Sequence, residues 1–304
     1  MNLIDVSGAV LGQNCGALDA ANKLHDLVNC HGAILLRDLI PDVASFEAVT
    51  QNLCADFHHS GIRQALRHNA GDGYTTEVFR NNFVILGHSE GVCRPYPHAP
   101  ELCFFMCMVP PVEAGGETTL IDGGEMLAAL PFDLRHRLAT LGVIYEYLWS
   151  RERWQVEFGV ANEVELVALL TRLSGVRFGM TPEGLHLRYA ARAINRSQQG
   201  AEVFCNGILA HLPHLNHPKY LGKPVHVNPT NRVYFGDGSP LSDHDVNALV
   251  DAHDQVVYRH RWQANDLLII DNTHFMHGRE MTRQPCERVL VSRFGRRKPG
   301  ELAS

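Results

Sequence analysis

The chain has 304 residues, of which 45% are hydrophobic and 20% are charged, and its formal net charge is −6 at pH 7. This composition is ordinary for a folded globular protein and excludes a disordered chain, and the negative charge argues against nucleic acid as a partner. No basic N-terminal stretch leads into an apolar one, and no run of about 18 apolar residues occurs, so we expect a cytoplasmic protein without a membrane partner. The eight cysteines form no Cys-X-X-Cys pair, which argues against a zinc knuckle or a redox dithiol.

The N-terminal third mixes helical and extended patterns. Apolar residues at helical spacing predict a helix over residues 17–30, with Gly32 as its stop signal, and a second amphipathic helix over residues 41–57. A strand is predicted between these helices, at residues 33–39. Further along, the near-continuous apolar run at residues 102–109 predicts a buried strand.

The remainder of the chain predicts a β-rich core that surrounds a helical segment. Two glycines at residues 115–116 form a turn that leads Thr118 into a short strand, and residues 124–173 have a largely helical pattern. Strands are then expected around residues 185–209, 224–235, 254–259, 266–271 and 288–294. We therefore predict a mainly β protein, with a β-sandwich or jelly-roll (double-stranded β-helix) core and flanking helices. It would form one domain over residues 1–304 with a helical insertion at about residues 124–180.

A metal site is indicated by His88 and Glu90, which lie two residues apart at the end of an apolar run. Residues i and i+2 of a strand point to the same side, so an imidazole and a carboxylate can converge there on one cation. Two histidines that follow the apolar run at residues 267–270, His274 and His277, are candidates for a third ligand. Two imidazoles and one carboxylate on one face of a metal leave the opposite face open, as in non-haem Fe(II) oxygenases.

Other polar residues have simpler interpretations. Three histidines are spaced by three residues: His211, His214 and His217. This spacing could hold a second metal, but the proline within the stretch favours a loop beside a substrate pocket. Three more histidines lie in a polar segment, where we expect solvent or turn contacts: His58, His59 and His68. We expect Asp122 and Asp271 to be structural and to accept backbone hydrogen bonds in turns.

Several motifs occur in a fixed order along the chain. They are Tyr74-Thr-Thr, His88-Ser-Glu90, Phe104-Phe105 with Pro110, Gly115-Gly-Glu-Thr118 with Asp122, Phe204-Cys-Asn206, residues 234–240 and residues 262–279. This ordered set resembles the taurine dioxygenase (TauD/TfdA-like) family of Fe(II)- and 2-oxoglutarate-dependent oxygenases. The likeness is to the branch that acts on amino acids and natural-product intermediates.

The resemblance implies a set of iron ligands: His88, Glu90 and His277. It also implies that 2-oxoglutarate and O2 are cosubstrates that occupy the open sites on Fe(II). Thr118 would hydrogen-bond the distal carboxylate of 2-oxoglutarate, and an arginine beyond His277 would pair with the same carboxylate as a planar fork. We favour Arg288, 11 residues after His277, and retain Arg293 as a substitute or as a second contact, although a five-residue separation directs the two side chains to opposite faces of a strand.

Three residues are expected from their sequence positions to line the substrate pocket: Tyr74, Arg94 and Asn206. The resemblance implies hydroxylation of an unactivated C–H bond in an amino acid or an amino-acid-derived metabolite, with release of succinate and CO2. This small-molecule substrate could be free or attached to a carrier protein, and Arg94 could pair with its carboxylate. The enzyme could also act as a homo-oligomer.

Other activities remain compatible with parts of the pattern. Desaturation, epoxidation or cyclisation would use the same iron site, whereas Glu90 argues against halogenation, because related halogenases replace this carboxylate with a small residue. A cupin-like metal hydrolase would use the His/Glu/His set to activate water, but it would leave Thr118 and Arg288 unexplained. A non-catalytic binding protein would not need an intact ligand set.

Overall fold

The two most apolar segments of the chain lie side by side in the largest sheet. Strand β7 (Leu102–Val109) and strand β16 (Leu267–Asp271) are antiparallel, with Leu268 opposite Phe105. The computed structural model describes residues 4–6, 17–38, 40–58, 69–78, 82–95, 98–112, 115–212, 215–227, 230–282 and 287–298. Both faces of β7 are buried over its first six residues, which explains why its sequence shows no polar alternation.

The helices are α1 (Ala17–His31), α2 (Val43–Leu53), α3 (Gly123–Ala129), α4 (Phe132–Leu141), α5 (Arg151–Phe158), α6 (Glu163–Leu170) and α7 (Asp243–Val256), with short 3-10 helices at Leu209–His211 and Pro218–Tyr220. The remaining strands are β1 (Ile4–Val6), β2 (Ala33–Leu36), β3 (Cys54–Phe57), β4 (Asn69–Ala70), β5 (Thr75–Glu77), β6 (Ile85–His88), β8 (Thr118–Asp122), β9 (Val143–Trp149), β10 (Val176–Thr181), β11 (Gly184–Ala191), β12 (Asn195–Arg196), β13 (Glu202–Val203), β14 (Arg232–Phe235), β15 (Tyr258–His260), β17 (Phe275–Arg279) and β18 (Val289–Arg297). None of the described helices combines the length and apolar character needed to cross a bilayer.

The strands form predominantly antiparallel sheets. The large sheet has the order β1-β2-β16-β7-β18-β5-β4, with β3 also paired to β18, and only the β1–β2 pair in it is parallel. The small sheet has the order β15-β8-β17-β6. A third sheet, β10-β11-β9-β14, and the β12–β13 pair lie outside these two. The chain is therefore mainly β with flanking helices, as predicted.

The large and small sheets pack against each other through one apolar core. From the large sheet this inter-sheet core receives Phe105, Leu268 and Phe294, and from the small sheet it receives Leu120 and Phe275. Because side chains alternate along a strand, the neighbours of these residues point away from the inter-sheet core. Residues of β8 and β17 that lie an even number of positions from Leu120 or Phe275 therefore point into the space between the sheets.

The opposite face of the large sheet is covered by α1 and α2. In this outer core, Phe104 and Val291 of the sheet pack with Val28 of α1 and Phe46 of α2. The other face of the small sheet packs against a third core, to which each of the helices α3 to α7 and three strands of the third sheet, β9, β11 and β14, contribute buried apolar residues. The metal-ligand candidates on β6 and β17 thus lie between two apolar layers.

The sequence predicts a helical insertion at about residues 124–180, but this segment also contains two strands, and for these residues the prediction is wrong. Residues 143–149 form β9, a central strand of the third sheet, and residues 176–181 form β10. The physical reason is the two-residue period of β9, in which Tyr145, Tyr147 and Trp149 are buried and the residues between them are more exposed. Four helices, α3 to α6, account for the helical part of the prediction.

Several predicted boundaries are also corrected. Residues 254–256 are the end of α7 and not a strand, and the strand expected at residues 224–235 covers only its last four residues. Helix α7 begins with a capping box between Ser242 and Asp245, a local signal that was present in the sequence. The helix predicted at residues 41–57 ends at Leu53, because the chain pairs with β18 from Cys54 onward.

Candidate metal centre

Two neighbouring strands of the small sheet bring distant histidines together. Strands β6 and β17 are antiparallel and place His88 directly opposite His277. Glu90 lies in the turn immediately after β6. The ring centroids of the histidines are 4.6 Å apart, and His88 Nε2 is 3.7 Å from Glu90 Oε2. One ligand atom from each of the three residues lies within 4.8 Å of the others, so a single cation could contact all three.

The hydrogen bonding and burial of the histidines suit metal coordination. His88 Nδ1 lies 3.2 Å from the Leu86 carbonyl oxygen, and this contact leaves Nε2 directed toward the cluster. His277 is buried against Phe105, with ring centroids 5.1 Å apart, and its Nδ1 has no hydrogen-bond partner among the described residues. Burial, reinforced by the nearby His88, lowers the pKa of His277 to about 3. The neutral imidazole that a metal requires is therefore the stable form.

The carboxylate of Glu90 is held in its ionised form. Burial works to raise the pKa of Glu90, but the hydrogen bond and charge of His88, together with Arg94 and His277, hold that pKa well below its usual range. Metal binding needs a deprotonated carboxylate. The backbone of Glu90 is bonded by Asn272, a residue that sequence reasoning missed. Its partner is 182 residues away, and no local pattern could have indicated the pair.

His274 is separated from this cluster by its own partner. Its Nε2 lies 3.3 Å from Asp122 Oδ2, and this hydrogen bond raises the pKa of the imidazole. Asp122 also accepts backbone N–H bonds from Gly124 and Glu125 and thereby caps α3, the structural role expected for it. Of the two histidines that the residues alone left open, His277 is the one placed beside His88 and Glu90.

Thr118 and Arg288 both reach the inter-sheet space near the start of β8. Thr118 is buried, and its hydroxyl oxygen accepts a hydrogen bond of 3.1 Å from Trp262 Nε1. Arg288 is 1% exposed and donates from Nη1 to the carbonyl oxygen of Gly116, at 2.7 Å. Gly116 is two residues before Thr118, so the two predicted 2-oxoglutarate contacts lie on neighbouring parts of the fold.

The structure does not support Arg293 as a 2-oxoglutarate contact. Its guanidinium lies 4.0 Å from the ring centre of Phe57 and donates to both carboxylate oxygens of Asp72, at 2.9 and 2.8 Å. Glu47 completes an ion-pair cluster at 3.3 Å. Arg293 has the parity of Val291, which packs in the outer core, and so points away from the metal-ligand candidates.

Tyr74 is placed beside Phe57, and its contact with substrate stays a prediction. The Tyr74 ring lies 5.9 Å from the ring of Phe57, the same ring that supports Arg293. Thr76 of β5, two residues further on, lies opposite Ser292 of β18, which has the parity of Phe294 and so faces the inter-sheet core.

Arg94 and Asn206 line a cavity of about 480 Å³ together with Tyr145, Tyr189 and Asn272. A more open surface groove of about 520 Å³, between α3 and the end of α7, lies apart from every predicted site residue. In the first cavity Arg94 Nη1 donates to Glu157 Oε2 at 2.7 Å. The partner of Arg94, Glu157 of α5, had no signal in the sequence beyond its charge.

The amide of Asn206 is used mainly within the protein. Its Nδ2 donates to the Ala193 carbonyl oxygen at 2.8 Å, and its Oδ1 accepts from the Ile208 backbone N–H at 3.0 Å. The Asn206 carbonyl oxygen accepts from the N–H of Ser89, between the two proposed ligands of the His-X-Glu motif. Asn206 thus forms part of the cavity wall and holds the backbone beside the cluster.

The other histidines named in the sequence analysis have separate partners where they are described. His211 bonds the Gly207 carbonyl oxygen through Nδ1 at 2.8 Å, whereas His217 Nε2 pairs with Asp251 at 3.0 Å. These two therefore do not converge on a common point. His58 lies 3.6 Å from a carboxylate oxygen of Asp56. Three predicted positions lie outside the described residues: His59, His68 and His214.

Two facing sheets with a cluster of two imidazoles and one carboxylate between them define a mainly β protein with an open candidate metal site. The chain belongs to the TauD/TfdA family of dioxygenases, because the family model described as "Taurine catabolism dioxygenase TauD, TfdA family" matches residues 9–293. Family membership confirms that the chain is a dioxygenase and that Fe(II), 2-oxoglutarate and O2 are its cofactor and cosubstrates.

Solved structures show the same fold at low sequence identity. PvcB from Pseudomonas aeruginosa is 20% identical, with a TM-score of 0.55 over 91% of this chain and 79% of its own. A taurine dioxygenase from Burkholderia xenovorans is 11% identical, with a TM-score of 0.55 over 98% and 87%. AAD-2, solved with Mn(II) and N-oxalylglycine, is 14% identical, with a TM-score of 0.53 over 97% and 93%. No protein with a curated description matches this chain in sequence.

Proposed function

We propose that this dioxygenase hydroxylates an unactivated C–H bond of an amino acid or an amino-acid-derived metabolite, with Fe(II) held by His88, Glu90 and His277. The observation that carries the proposal is the convergence of these three side chains, each offering one ligand atom within 4.8 Å of the others. The two sheets that face each other across the inter-sheet core support a double-stranded β-helix as the scaffold.

The donor set suits an open iron site better than a fully coordinated structural metal site. Two neutral imidazoles and one carboxylate occupy one face of a cation and leave the other face for cosubstrates. When bound, Fe(II) and 2-oxoglutarate would supply, with O2, oxidative decarboxylation to succinate and CO2, in which one oxygen atom of O2 goes into succinate and the other into the substrate. The protein holds the ligands in the required protonation state, because the pKa of His277 is lowered and that of Glu90 is held down.

Arg288 and Thr118 are the proposed contacts of the distal carboxylate of 2-oxoglutarate. Arg288 is almost fully buried and offers a planar fork of donors, which matches a carboxylate better than an ammonium group does. The Thr118 hydroxyl accepts from Trp262, so its own proton can be donated to a carboxylate oxygen. Both residues lie on the inter-sheet side, where the iron ligands also lie.

The cavity lined by Arg94 supports a small anionic substrate. Two further arginines, Arg192 and Arg196, line it together with Glu101. Glu157 pairs with Arg94, and Glu202 pairs with Arg196. The carboxylate of an amino acid would accept hydrogen bonds from these guanidinium groups. The Glu157 contact engages one of the five N–H donors of Arg94. PvcB is described as an Fe, alpha-ketoglutarate dependent oxygenase from an isonitrile synthetic pathway, which supports a role in natural-product biosynthesis.

The test is anaerobic addition of Fe(II) and then 2-oxoglutarate to the purified protein. We expect the weak visible charge-transfer band that arises when a keto acid chelates iron, and we expect His88→Ala and Glu90→Ala to lose it. The matched control is His274→Ala, which removes a nearby histidine that pairs with Asp122 and should leave the band in place.

Two outcomes would contradict the proposal. If the folded wild-type protein gives no band, the cosubstrate does not bind as proposed, and activity with Zn(II) would then favour a metal hydrolase. If the band forms but no amino acid from a screened set increases 2-oxoglutarate turnover, the iron site stands and the substrate class is wrong. Product analysis by mass spectrometry separates hydroxylation from desaturation or cyclisation.

A further inference from the structure

One buried amide bonds the segment that carries Glu90 at both of its ends. Asn272 lies in the turn between β16 and β17 and is 2% exposed. Its Oδ1 accepts from the Glu90 backbone N–H at 2.8 Å, and its Nδ2 donates to the carbonyl oxygens of Glu90, at 3.0 Å, and Pro100, at 2.7 Å. The backbone N–H of Asn272 adds a fourth bond, to the Glu101 carbonyl oxygen at 2.9 Å.

The bonded positions are the two ends of one loop. Glu90 lies two residues after the end of β6, and Glu101 directly precedes β7. Between these ends, Val92, Arg94 and His98 line the cavity beside the cluster. Asn272 therefore closes the base of a loop that begins with a proposed iron ligand and forms part of the cavity wall.

The same turn also leads into the strand of the distal histidine. Asn272 is five residues before His277, and β17 begins only three residues after Asn272. The turn itself is anchored by Asp271, which accepts from the Thr273 backbone N–H at 2.9 Å and pairs with Arg297 at 3.1 Å. Because this turn is anchored, a displacement of the Glu90 backbone relative to β17 would break the hydrogen bonds between Glu90 and Asn272.

We propose that Asn272 is a positioning residue that sets the Glu90 carboxylate relative to His277 and holds the adjacent cavity loop in register. The inference rests on the proposed iron ligation. Only a side-chain amide offers an acceptor and two donors in one plane, as these contacts with Glu90 and Pro100 require. Partners that orient metal ligands without touching the metal typically contribute about tenfold to a hundredfold to metal affinity.

The test uses Co(II) as a spectroscopic probe of the metal-free protein. We expect Asn272→Ala to bind Co(II) about tenfold to a hundredfold more weakly than wild type, because Glu90 loses its backbone anchor. We also expect its visible ligand-field bands to shift. The matched control is Asn162→Ala, which removes the amide that caps α6 through its hydrogen bonds with Glu165. Its Co(II) affinity and spectrum should equal those of wild type.

A second variant covers the case in which Asn272→Ala does not fold. Asn272→Asp keeps the shape and the acceptor toward the Glu90 N–H but loses both donor bonds, and it should also weaken Co(II) binding. Wild-type affinity and an unchanged spectrum in either folded variant would overturn the inference. Failure of wild type itself to bind Co(II) would instead count against the proposed ligand set, so the two failures are distinguishable.

Discussion

Arg288 and Arg293 lie five residues apart near the C-terminus, and their side chains enter different cores. Arg288 donates to the Gly116 carbonyl oxygen on the inter-sheet side, whereas Arg293 pairs with Asp72 and Glu47 on the outer side. The residue type alone does not separate a cosubstrate contact from a structural ion pair. The side of the large sheet on which each arginine lies separates these two roles.

Substitution of the two arginines should therefore affect different measurements. Arg288→Ala should raise the KM for 2-oxoglutarate by about tenfold to a hundredfold, because hydrogen bonds to charged groups contribute about 1.5–3 kcal/mol. Arg293→Ala should leave that KM nearly unchanged but lower the free energy of unfolding by about 3 kcal/mol, the low end for a broken buried pair, because Asp72 and Glu47 keep partial contact with water. Equal effects of both variants on KM would contradict this assignment.

The pKa of His277 predicts an acid sensitivity of the metal-free protein. The folded pKa is about 3, whereas an unfolded histidine titrates near about 6.5. As the pH falls below about 6.5, the unfolded chain gains a proton at this position and the folded chain does not, so stability decreases by about 1.4 kcal/mol per pH unit.

The measurement is urea unfolding in EDTA at about pH 6.5 and about pH 4.5, for wild type and for His277→Leu. Between these pH values wild type should lose about 2.3 kcal/mol more stability than the variant, which has no titrating group there. If both proteins lose the same amount, burial does not hold His277 neutral in the folded state.

At the scale of elements, the Arg94–Glu157 pair connects the loop after β6 to helix α5. The two side chains are 2.7 Å apart, and Glu157 is only 5% exposed. Arg153, one turn earlier on α5, approaches the other oxygen of Glu157 at 4.0 Å. This pair therefore attaches the cavity loop to helix α5, which is not part of the two main sheets.

A double-mutant cycle tests this connection. Arg94→Gln and Glu157→Gln should each lower the free energy of unfolding by about 3 kcal/mol, and the double variant should lose less than the sum, with a coupling of about 1–3 kcal/mol. The control cycle on Arg196–Glu202, a pair at 3.7 Å with both side chains about two-thirds exposed, should give at most about 1 kcal/mol. Comparable couplings in the two cycles would show that the buried pair does not hold α5.

At the scale of the whole molecule, the candidate site draws on both facing sheets. His88 and His277 lie on the small sheet, and Arg288 immediately precedes β18 of the large sheet. A ligand that contacts the metal and Arg288 at once would bridge the inter-sheet core. Unfolding of either sheet would then require release of that ligand.

Mn(II) with 2-oxoglutarate should therefore stabilise the entire fold. At ligand concentrations 100 times the Kd the gain is about 2.7 kcal/mol, which corresponds to a rise in Tm of about 5 °C for a protein of this size. Thermal unfolding followed by circular dichroism measures the shift. EDTA should reverse it, and His277→Ala should not show it. A single transition that does not move with saturating Mn(II) and 2-oxoglutarate would contradict a site shared by the two sheets.

The sequence by itself determined the features that depend on neighbours along the chain. The apolar runs of β7 and β16, the helix at residues 17–31 and the mainly β class follow from composition and periodicity. The common direction of His88 and Glu90 follows from the two-residue period of an extended chain. The ordered motifs also indicated the family, which the match over residues 9–293 confirms.

Only the tertiary structure decided features that depend on which strands become neighbours and which face of each strand is covered. It placed His277, and not His274, opposite His88, and it placed Arg293 on the outer side of the large sheet. It showed that residues 143–149, inside the predicted helical insertion, form a strand with antiparallel partners on both sides and a buried aromatic face, and their β-branched and aromatic residues favour that state. The bonds from Asn272 to Glu90 join positions 182 residues apart, and a contact of that kind exists only once the sheets have assembled.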